Sequence, residues 1–512
     1  MQTITSTRAG HREWIGLAVI ALPCLLYSMD LTVLELAVPA ISADLQPSST
    51  QLLWIIDIYG FMVAGSLITM GTLGDRIGRR RLLLIGAVAF GAASVLASLS
   101  TSAEMLIASR ALLGIAGATV APSTLSLIRN MFQDPGQRTT AIGVWVMSFS
   151  VGAVLGPLLG GVLLEFFWWG SVFLLALPVM AMLLVLGPAL LPEFRDTEAG
   201  RIDLRSAAMS VAAVLAVIYG LKRIAIDGVG WLPVLVVLVG LAVGVAFVRR
   251  QRGLADPLID LDLFRVSAFR ASVCTNLLAF LAAFGVFFFI AQYLQLVMGL
   301  SPLEAGIWTV PSSLGFVVGA VLAPVVMRRA RPAHVVAGGL ALAAIGLGLL
   351  TQVDAVSGLA VLVTGSVVMS LGLSPVITVT TDLIVGTAPP ERAGAASAIS
   401  ETSAEFGGAL GIALLGSIGA AVYRGQIGDA FPAGVPPGAA DAARDTLGGA
   451  VASAEGLPAR TGAAVLDAAH EAFTSGMRLV AAISVVILVV LAVVATLLLK
   501  DRSMPGPETD TS

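Results

Sequence analysis

The sequence predicts an all-α polytopic membrane protein with 14 transmembrane helices. Three observations carry this. Only 12% of the 512 residues are charged and 57% are hydrophobic, whereas a soluble domain carries about 25% charged residues. Apolar stretches of about twenty residues, the length of a spanning helix, recur along the whole chain. Lys and Arg collect in alternate loops, as the positive-inside rule requires.

The first stretch, 14–38, follows Arg8 and Arg12 and is far longer than the ~7–15-residue core of a signal peptide, so it reads as a retained span. The next five lie near 52–70, 82–100, 104–128, 140–164 and 170–190. Stretch 206–222 is short and ends in Lys222 and Arg223; 232–248 ends in Arg249, Arg250 and Arg252. The remaining six lie near 270–297, 305–327, 334–351, 358–382, 394–423 and 477–499. With the N-terminus in the cytoplasm, 22 of the 29 basic residues fall inside. Dropping one span would move later basic loops to the wrong side, so the asymmetry supports both the count and cytoplasmic termini. Residues 424–476, rich in Ala, Gly, Pro and Asp, then form an extracytoplasmic loop. It reads as a surface insertion with a short amphipathic helix near Val465–Phe473.

The two cysteines, Cys24 and Cys274, sit in apolar runs and read as small core residues. No GxxxxGK[ST] phosphate loop is present, so this chain has no motif for ATP hydrolysis. The three histidines, His11, His334 and His470, lie outside the spans. No HExxH, Cys/His ligand set or GxSxG elbow suggests an enzyme or a metal site. No cofactor is expected; the remaining energy source is an ion gradient, with the proton as the coupling ion.

Intramembrane ionisable residues are expensive and mark function by default. Asp30, Glu35, Asp57, Asp382, Glu401 and Glu405 lie in or near spans. Glu401 and Glu405, four apart, share one helix face. Two acids this close in a low dielectric cannot both ionise cheaply, which suits a proton carrier. Asp382 also reads as an end-of-helix acid, and Glu35 as a wetted outer-end residue. Phe284, Phe288 and Tyr293 are candidates for an aromatic lining that binds flat cations; packing or lipid contact is the alternative.

Three motifs resemble a known family. Gly71-Thr72-Leu73-Gly74-Asp75-Arg76-Ile77-Gly78-Arg79-Arg80-Arg81 is similar to the cytoplasmic signature loop of the major facilitator superfamily. Its glycines suit a tight turn. Asp75, Arg76 and Arg79 suit an ion-pair lock, or else a basic loop that only fixes topology. Arg110, followed by Leu113-Gly114-Ile115-Ala116-Gly117, resembles the family's fourth-helix arginine, associated with proton coupling; a structural partner for a buried carboxylate is equally open. Gly152-Ala153-Val154-Leu155-Gly156-Pro157-Leu158-Leu159-Gly160-Gly161 resembles the antiporter motif of exporters. Its glycines recur every four residues, which also suits plain close packing, and Pro157 can bend the helix.

The resemblance covers nearly the whole chain and is nearest to the fourteen-span drug:proton antiporters that export quaternary-ammonium compounds, dyes and methyl viologen. LYSMDLTVLELAVP from Leu26, WIIDIY from Trp54, PLIDLDLFR from Pro257 and YLQLVMGLSPLEAG from Tyr293 match that group. Glu35, where many relatives carry Asn, departs from it, as does Gly170-Ser171, where many carry Arg and Trp. The resemblance implies two pseudo-symmetric six-helix halves, 1–192 and 269–500, joined by two linker helices in 193–268, with a cytoplasmic tail at 501–512. It implies export of small lipophilic cationic drugs in exchange for protons by a monomer in the cell membrane, with lipids as its surroundings and no nucleic-acid partner. An exporter of lipids or amphiphilic metabolites is the first alternative, and an ion-driven uptake symporter the second.

Overall fold

The computed structural model describes residues 9–193, 203–227, 230–254, 257, 261–327, 329–354, 358–387, 393–430 and 435–498. Helices account for the regular structure, with no strand among the described residues. Thirteen helical segments are long and apolar enough to cross a membrane; the apolar part of a further helix, Arg205–Leu221, is shorter.

The chain begins with α1 (His11–Leu45), α2 (Ser49–Ile77) and α3 (Arg79–Ser98). Between α1 and α2, Gln46 takes a left-handed conformation. Ser48 then caps α2, accepting from the Gln51 amide while the Gln51 side chain accepts from the Ser48 amide, a reciprocal box that satisfies two end donors. The fourth span is split into α4 (Ala103–Gly117) and α5 (Val120–Met131). Pro122 accounts for the break at Ala118, since a proline ring clashes with the carbonyl four residues back. Pro178 does the same between α7 (Ser171–Leu174) and α8 (Ala176–Leu190). Between them lies α6 (Pro135–Phe166), which stays helical through Pro157.

The second part comprises α9 (Leu204–Asp227), α10 (Trp231–Arg252), α11 (Ser267–Gln292) with a π turn at Tyr293–Val297, α12 (Pro302–Met327), α13 (Pro332–Leu350), α14 (Gly358–Thr387) and α15 (Ala393–Ala430). After α16 (Pro437–Asp445) and α17 (Leu447–Glu455) comes α18 (Ala459–Leu498).

Packing sorts these helices into two bundles. One is α1–α8, centred on α1 against α6 and α2 against α4. The other is α11–α15 with α18, centred on α11 against α15 and α13 against α14. The α9–α10 pair attaches through α9, which touches both α2 and α15.

Residues 424–476 differ from the expected surface insertion. Helix α15 runs on to Ala430, and the amphipathic segment at Val465–Phe473 is the first part of α18 rather than a separate helix. At 1.5 Å per residue, the 40 residues of α18 span about 60 Å, twice the hydrocarbon core of about 30 Å. Its first half therefore projects beyond the membrane and forms a folded cap with α16 and α17. The Tyr423 hydroxyl donates to the Ala443 carbonyl at 2.7 Å, and Ser49 Oγ reaches Asp445 at 3.3 Å.

The tight turn expected of the first motif falls at one of its glycines alone. Helix α2 continues through Gly71 and Gly74 to Ile77, and the chain reverses only at Gly78, whose φ of 112° favours glycine. Cys274 is exposed whereas Cys24 is buried; both are free.

Candidate functional site

Arg110 is the largest fully buried side chain, 1% exposed, and it projects from α4 into the middle of the first bundle. A buried charge is tolerated only when paired and hydrogen-bonded. Arg110 Nη1 lies 2.8 Å from Asp30 Oδ2 on α1, and Nε donates to the Ile55 carbonyl on α2 at 3.2 Å. The Tyr59 ring faces the guanidinium with its centroid 4.7 Å away, and Phe173 is 5.9 Å away, both within cation–π range. One side chain thus ties together three helices, and Asp30 keeps 13% exposure.

A second carboxylate comes from the other bundle. The Tyr27 hydroxyl, one turn before Asp30 on α1, donates to Glu405 Oε1 on α15 at 2.6 Å. The Tyr27 and Tyr59 rings lie 6.1 Å apart. The sequence Glu405–Tyr27–Tyr59–Arg110–Asp30 is therefore continuous in space across the line between the bundles. Further rings extend it. Phe149 sits 5.9 Å from Tyr27 and 4.9 Å from Trp145, and Trp145 Nε1 donates to Thr124 at 2.9 Å.

Other acids take their places around this line. Glu401 is half-buried one turn before Glu405 on the same face of α15, and Asp57 is 1% exposed on α2, two residues before Tyr59. Glu35 is half-buried on α1 beside Leu36, whose carbonyl accepts from Gln295 at 2.9 Å. Asp382 is exposed on α14 and joins none of these contacts.

The aromatic residues beside the acids come from α1, α2 and α6, which the sequence reading missed. Tyr293 is fully buried in the second bundle, its hydroxyl donating to the Asp354 carbonyl and pressed against Gly358. Phe288 is buried edge-on to Phe289 at 5.0 Å beside Gly416. Phe284, half-buried, stacks on Phe280 at 6.0 Å and abuts Gly408, three residues after Glu405. A tyrosine inside an apolar run reads as one more hydrophobe, so only the fold reveals that Tyr27 meets Glu405.

The span-five glycines are used for close approach. A Cβ at Gly152 would strike the Leu25 carbonyl, one at Gly156 would strike Thr32, and one at Gly160 would lie 3.0 Å from Val33 Cγ1. Pro157 offers its carbonyl to the face of Gly306 on α12, and Gly161 faces Leu303, so the same segment also touches the other bundle.

In the first motif, Gly71 lies near Pro122 and Arg76 is exposed. Arg79 Nη1 donates to the Pro122 carbonyl at 3.3 Å. Arg80 Nη1 donates to the Pro188 and Leu191 carbonyls, and its Nε lies 3.5 Å from Glu193, which also abuts Gly78. These contacts bind α3 to α5 and α8 within one bundle. The Asp75 side chain lies outside the described residues.

Known proteins agree with this architecture. The Major Facilitator Superfamily profile matches residues 20–412. The chain is 43% identical, over 96% of its length and 97% of the relative's, to the multidrug efflux pump LfrA of Mycolicibacterium smegmatis. It is 36% identical to the methyl viologen resistance protein SmvA of Salmonella typhimurium, covering 90% and 93% of the two chains. It is 33% identical to the tetracenomycin C resistance and export protein of Streptomyces glaucescens, covering 94% and 91%. Its fold is similar to that of a solved bacterial homologue of the human lysosomal transporter Spinster, with a TM-score of 0.69 at 20% identity, covering 97% of this chain and all of that one.

Proposed function

The chain belongs to the Major Facilitator Superfamily, a transporter of the cell membrane that crosses it many times, and from that premise we propose that it exports lipophilic cations in exchange for protons. Quaternary ammonium compounds and planar dyes are the proposed substrates. The observation that carries this reading is the Tyr27–Glu405 hydrogen bond between bundles, beside the Arg110–Asp30 pair.

Asp30 is matched by Arg110, so Glu405 and Glu401 supply the unmatched negative charge at the bundle boundary. Tyr27, Tyr59, Phe149 and Trp145 supply ring faces, which attract cations. A cation entering from the cytoplasm displaces the Tyr27 hydroxyl and is held by Glu405. When the site faces outward, a proton on Glu405 removes that charge and the cation leaves. Deprotonation toward the cytoplasm restores affinity. Residues 1–192 and 269–500 rock about this site, with both termini cytoplasmic, fourteen spans in all and 501–512 as a tail. A monovalent cation exchanged for one proton gains nothing from membrane voltage, so the pH gradient drives that exchange. Two protons per charge would add about 2.3 kcal/mol at 100 mV.

Inside-out vesicles acidified in the lumen are expected to accumulate ethidium. Accumulation that requires ATP and survives an uncoupler overturns the proposal. Tyr27→Phe removes a hydrogen bond to a carboxylate, of the kind worth about 1.5–3 kcal/mol. It is expected to shift the pH dependence of ethidium transport while Glu405→Gln flattens it. An unaltered pH profile in both variants removes this pair from the coupling step.

A further inference from the structure

The foot of the α9–α10 pair carries a groove that the export reading does not use. It has a volume of about 450 Å³ and is lined by Arg205, Arg249 and Arg250 with Met209, Ala246 and Leu254. Arg250 is already engaged: its Nε and Nη2 donate to the two Asp203 carboxylate oxygens at 3.0 and 3.1 Å. Ser206 also binds Asp203, and Gln251 donates to Ser206 at 2.9 Å. This network fixes the two helix ends and matches one positive charge. Arg205 and Arg249 are exposed and make no ion pair among the described residues, so they carry the unmatched charge.

Above the groove α10 turns an apolar face outward. Gly240, Phe247 and Gln251 are its buried residues, while Leu238, Leu241, Val245 and Val248 are exposed by 57, 53, 53 and 38%. Their spacing of three and four residues makes one stripe that ends beside Arg249. At 1.5 Å per residue the stripe is about 15 Å long, half of a hydrocarbon core of about 30 Å, which is the depth of one leaflet.

We propose that this groove binds the phosphodiester headgroup of an anionic phospholipid, with one acyl chain laid along the Leu238–Val248 stripe. Two guanidiniums at the helix ends without an ion pair among the described residues, with a leaflet-length apolar track above them, complement such a molecule at both ends. Arg forks match phosphate oxygens in pairs. A zwitterionic lipid offers the same chains but brings its own cation to the arginines, and free phosphate lacks the chains. Since α9 touches both bundles, the bound lipid would also steady the helix that bridges them.

The test is native mass spectrometry of the full chain in detergent, titrated with phosphatidylglycerol or with phosphatidylcholine of the same acyl chains. Wild type is expected to retain phosphatidylglycerol preferentially. Arg205→Gln/Arg249→Gln should lower that retention about thirtyfold, about fivefold for each arginine near a membrane surface, and leave phosphatidylcholine unchanged. Arg205→Lys/Arg249→Lys keeps the charge and should retain most of the binding, which separates loss of the site from misfolding. Equal retention of the two lipids by wild type, or no change in the Gln variant, overturns the proposal. Displacement of phosphatidylglycerol by millimolar inorganic phosphate also overturns it, because the groove would then be a site for soluble anions.

Discussion

Two of the seams where the bundles meet are built alike and filled differently. In the first bundle α6 packs on α1 through Gly152, Gly156 and Gly160, set against Leu25, Met29, Thr32 and Val33. In the second, α15 packs on α11 through Gly407 and Gly411, whose missing side chains admit the Leu277 and Leu281 carbonyls. Each ladder, three glycines on α6 and two on α15, is spaced by four residues, one face of a helix. Each of these fifth-span helices then crosses to the opposite bundle, α6 to α12 and α15 to α2. There the likeness ends. The α6–α12 seam is closed by backbone packing, with Gly306 against the Pro157 carbonyl and a Cβ at Gly161 lying 2.9 Å from Leu303 Cα. The α15–α2 seam carries acids, Glu401 and Glu405 on α15 and Asp57 on α2, and α9 covers it through Ile218 packed on Phe61, Ala409 and Ala413.

The comparison teaches that the glycine ladder is a packing device common to both halves. The span-five string that resembles an exporter motif does that work too. What sets it apart from the α11–α15 ladder is the contact that Pro157 and Gly161 make with Gly306 and Leu303 across the seam. On the proposed function, coupling is then to be sought in the acidic seam and opening in the backbone-packed one.

The largest expected effect lies on the polar side. Arg110→Ala would leave Asp30 buried without its partner, a change that costs about 3–5 kcal/mol in comparable buried pairs. Thermal unfolding in detergent is expected to show this, and Arg110→Ala/Asp30→Asn to recover part of it. An unchanged melting temperature in the single variant would mean that Asp30 is stabilised by water instead, and the contrast between the seams would weaken.

A middle-sized effect sharpens the likeness. Gly152→Ala and Gly411→Ala each push a methyl into a facing carbonyl, and overpacking of this kind costs about 1–3 kcal/mol. Gly143, on α6 with open space around it, is the control. Gly143→Ala is expected to be neutral or slightly stabilising, since alanine favours helix by up to about 1 kcal/mol. Equal losses at 152 and 411 support a shared packing device; a loss at 152 alone restores a special role to the exporter-like string.

The smallest effect concerns α9, which covers only the α15–α2 seam. Hydrogen bonds from Arg250, aided by Ser206, hold the Asp203 carboxyl well below its ordinary value. A depressed carboxylate stabilises the fold above its unfolded pKa of about 3.9, and this contribution fades as pH falls further toward the folded value. The difference in melting temperature between wild type and Asp203→Asn is therefore expected to be constant from neutral pH down to about 5 and to shrink in stronger acid. A difference that instead grows on acidification contradicts the clamp.

Much of this was legible along the chain. Burying apolar residues in lipid requires runs of span length, and thirteen of the fourteen predicted stretches coincide with helices long and apolar enough to cross. The seventh is helical but has the shortest apolar segment, as Lys222 and Arg223 foretold. Arg110 and the acids stood out because ionisable groups are conspicuous in apolar runs. Hydropathy alone began the last span at 477, however, and of the 18 preceding residues of α18 that help build the cap only a short helix at Val465–Phe473 was expected, since an alanine-rich helix outside lipid looks like a loop.

The sequence by itself determined the helices, the charged candidates and the glycine spacing, because each is a property of composition and period along one chain. That Arg110 meets a carboxylate at all depended on what stood opposite. Tertiary structure supplied Asp30 eighty residues away and Glu405 hydrogen-bonded to a tyrosine 378 residues earlier. Those pairings are decided by how two bundles dock, and docking in lipid is set by close packing and polar contacts rather than by hydrophobicity. No pattern of apolar residues along the chain records that choice.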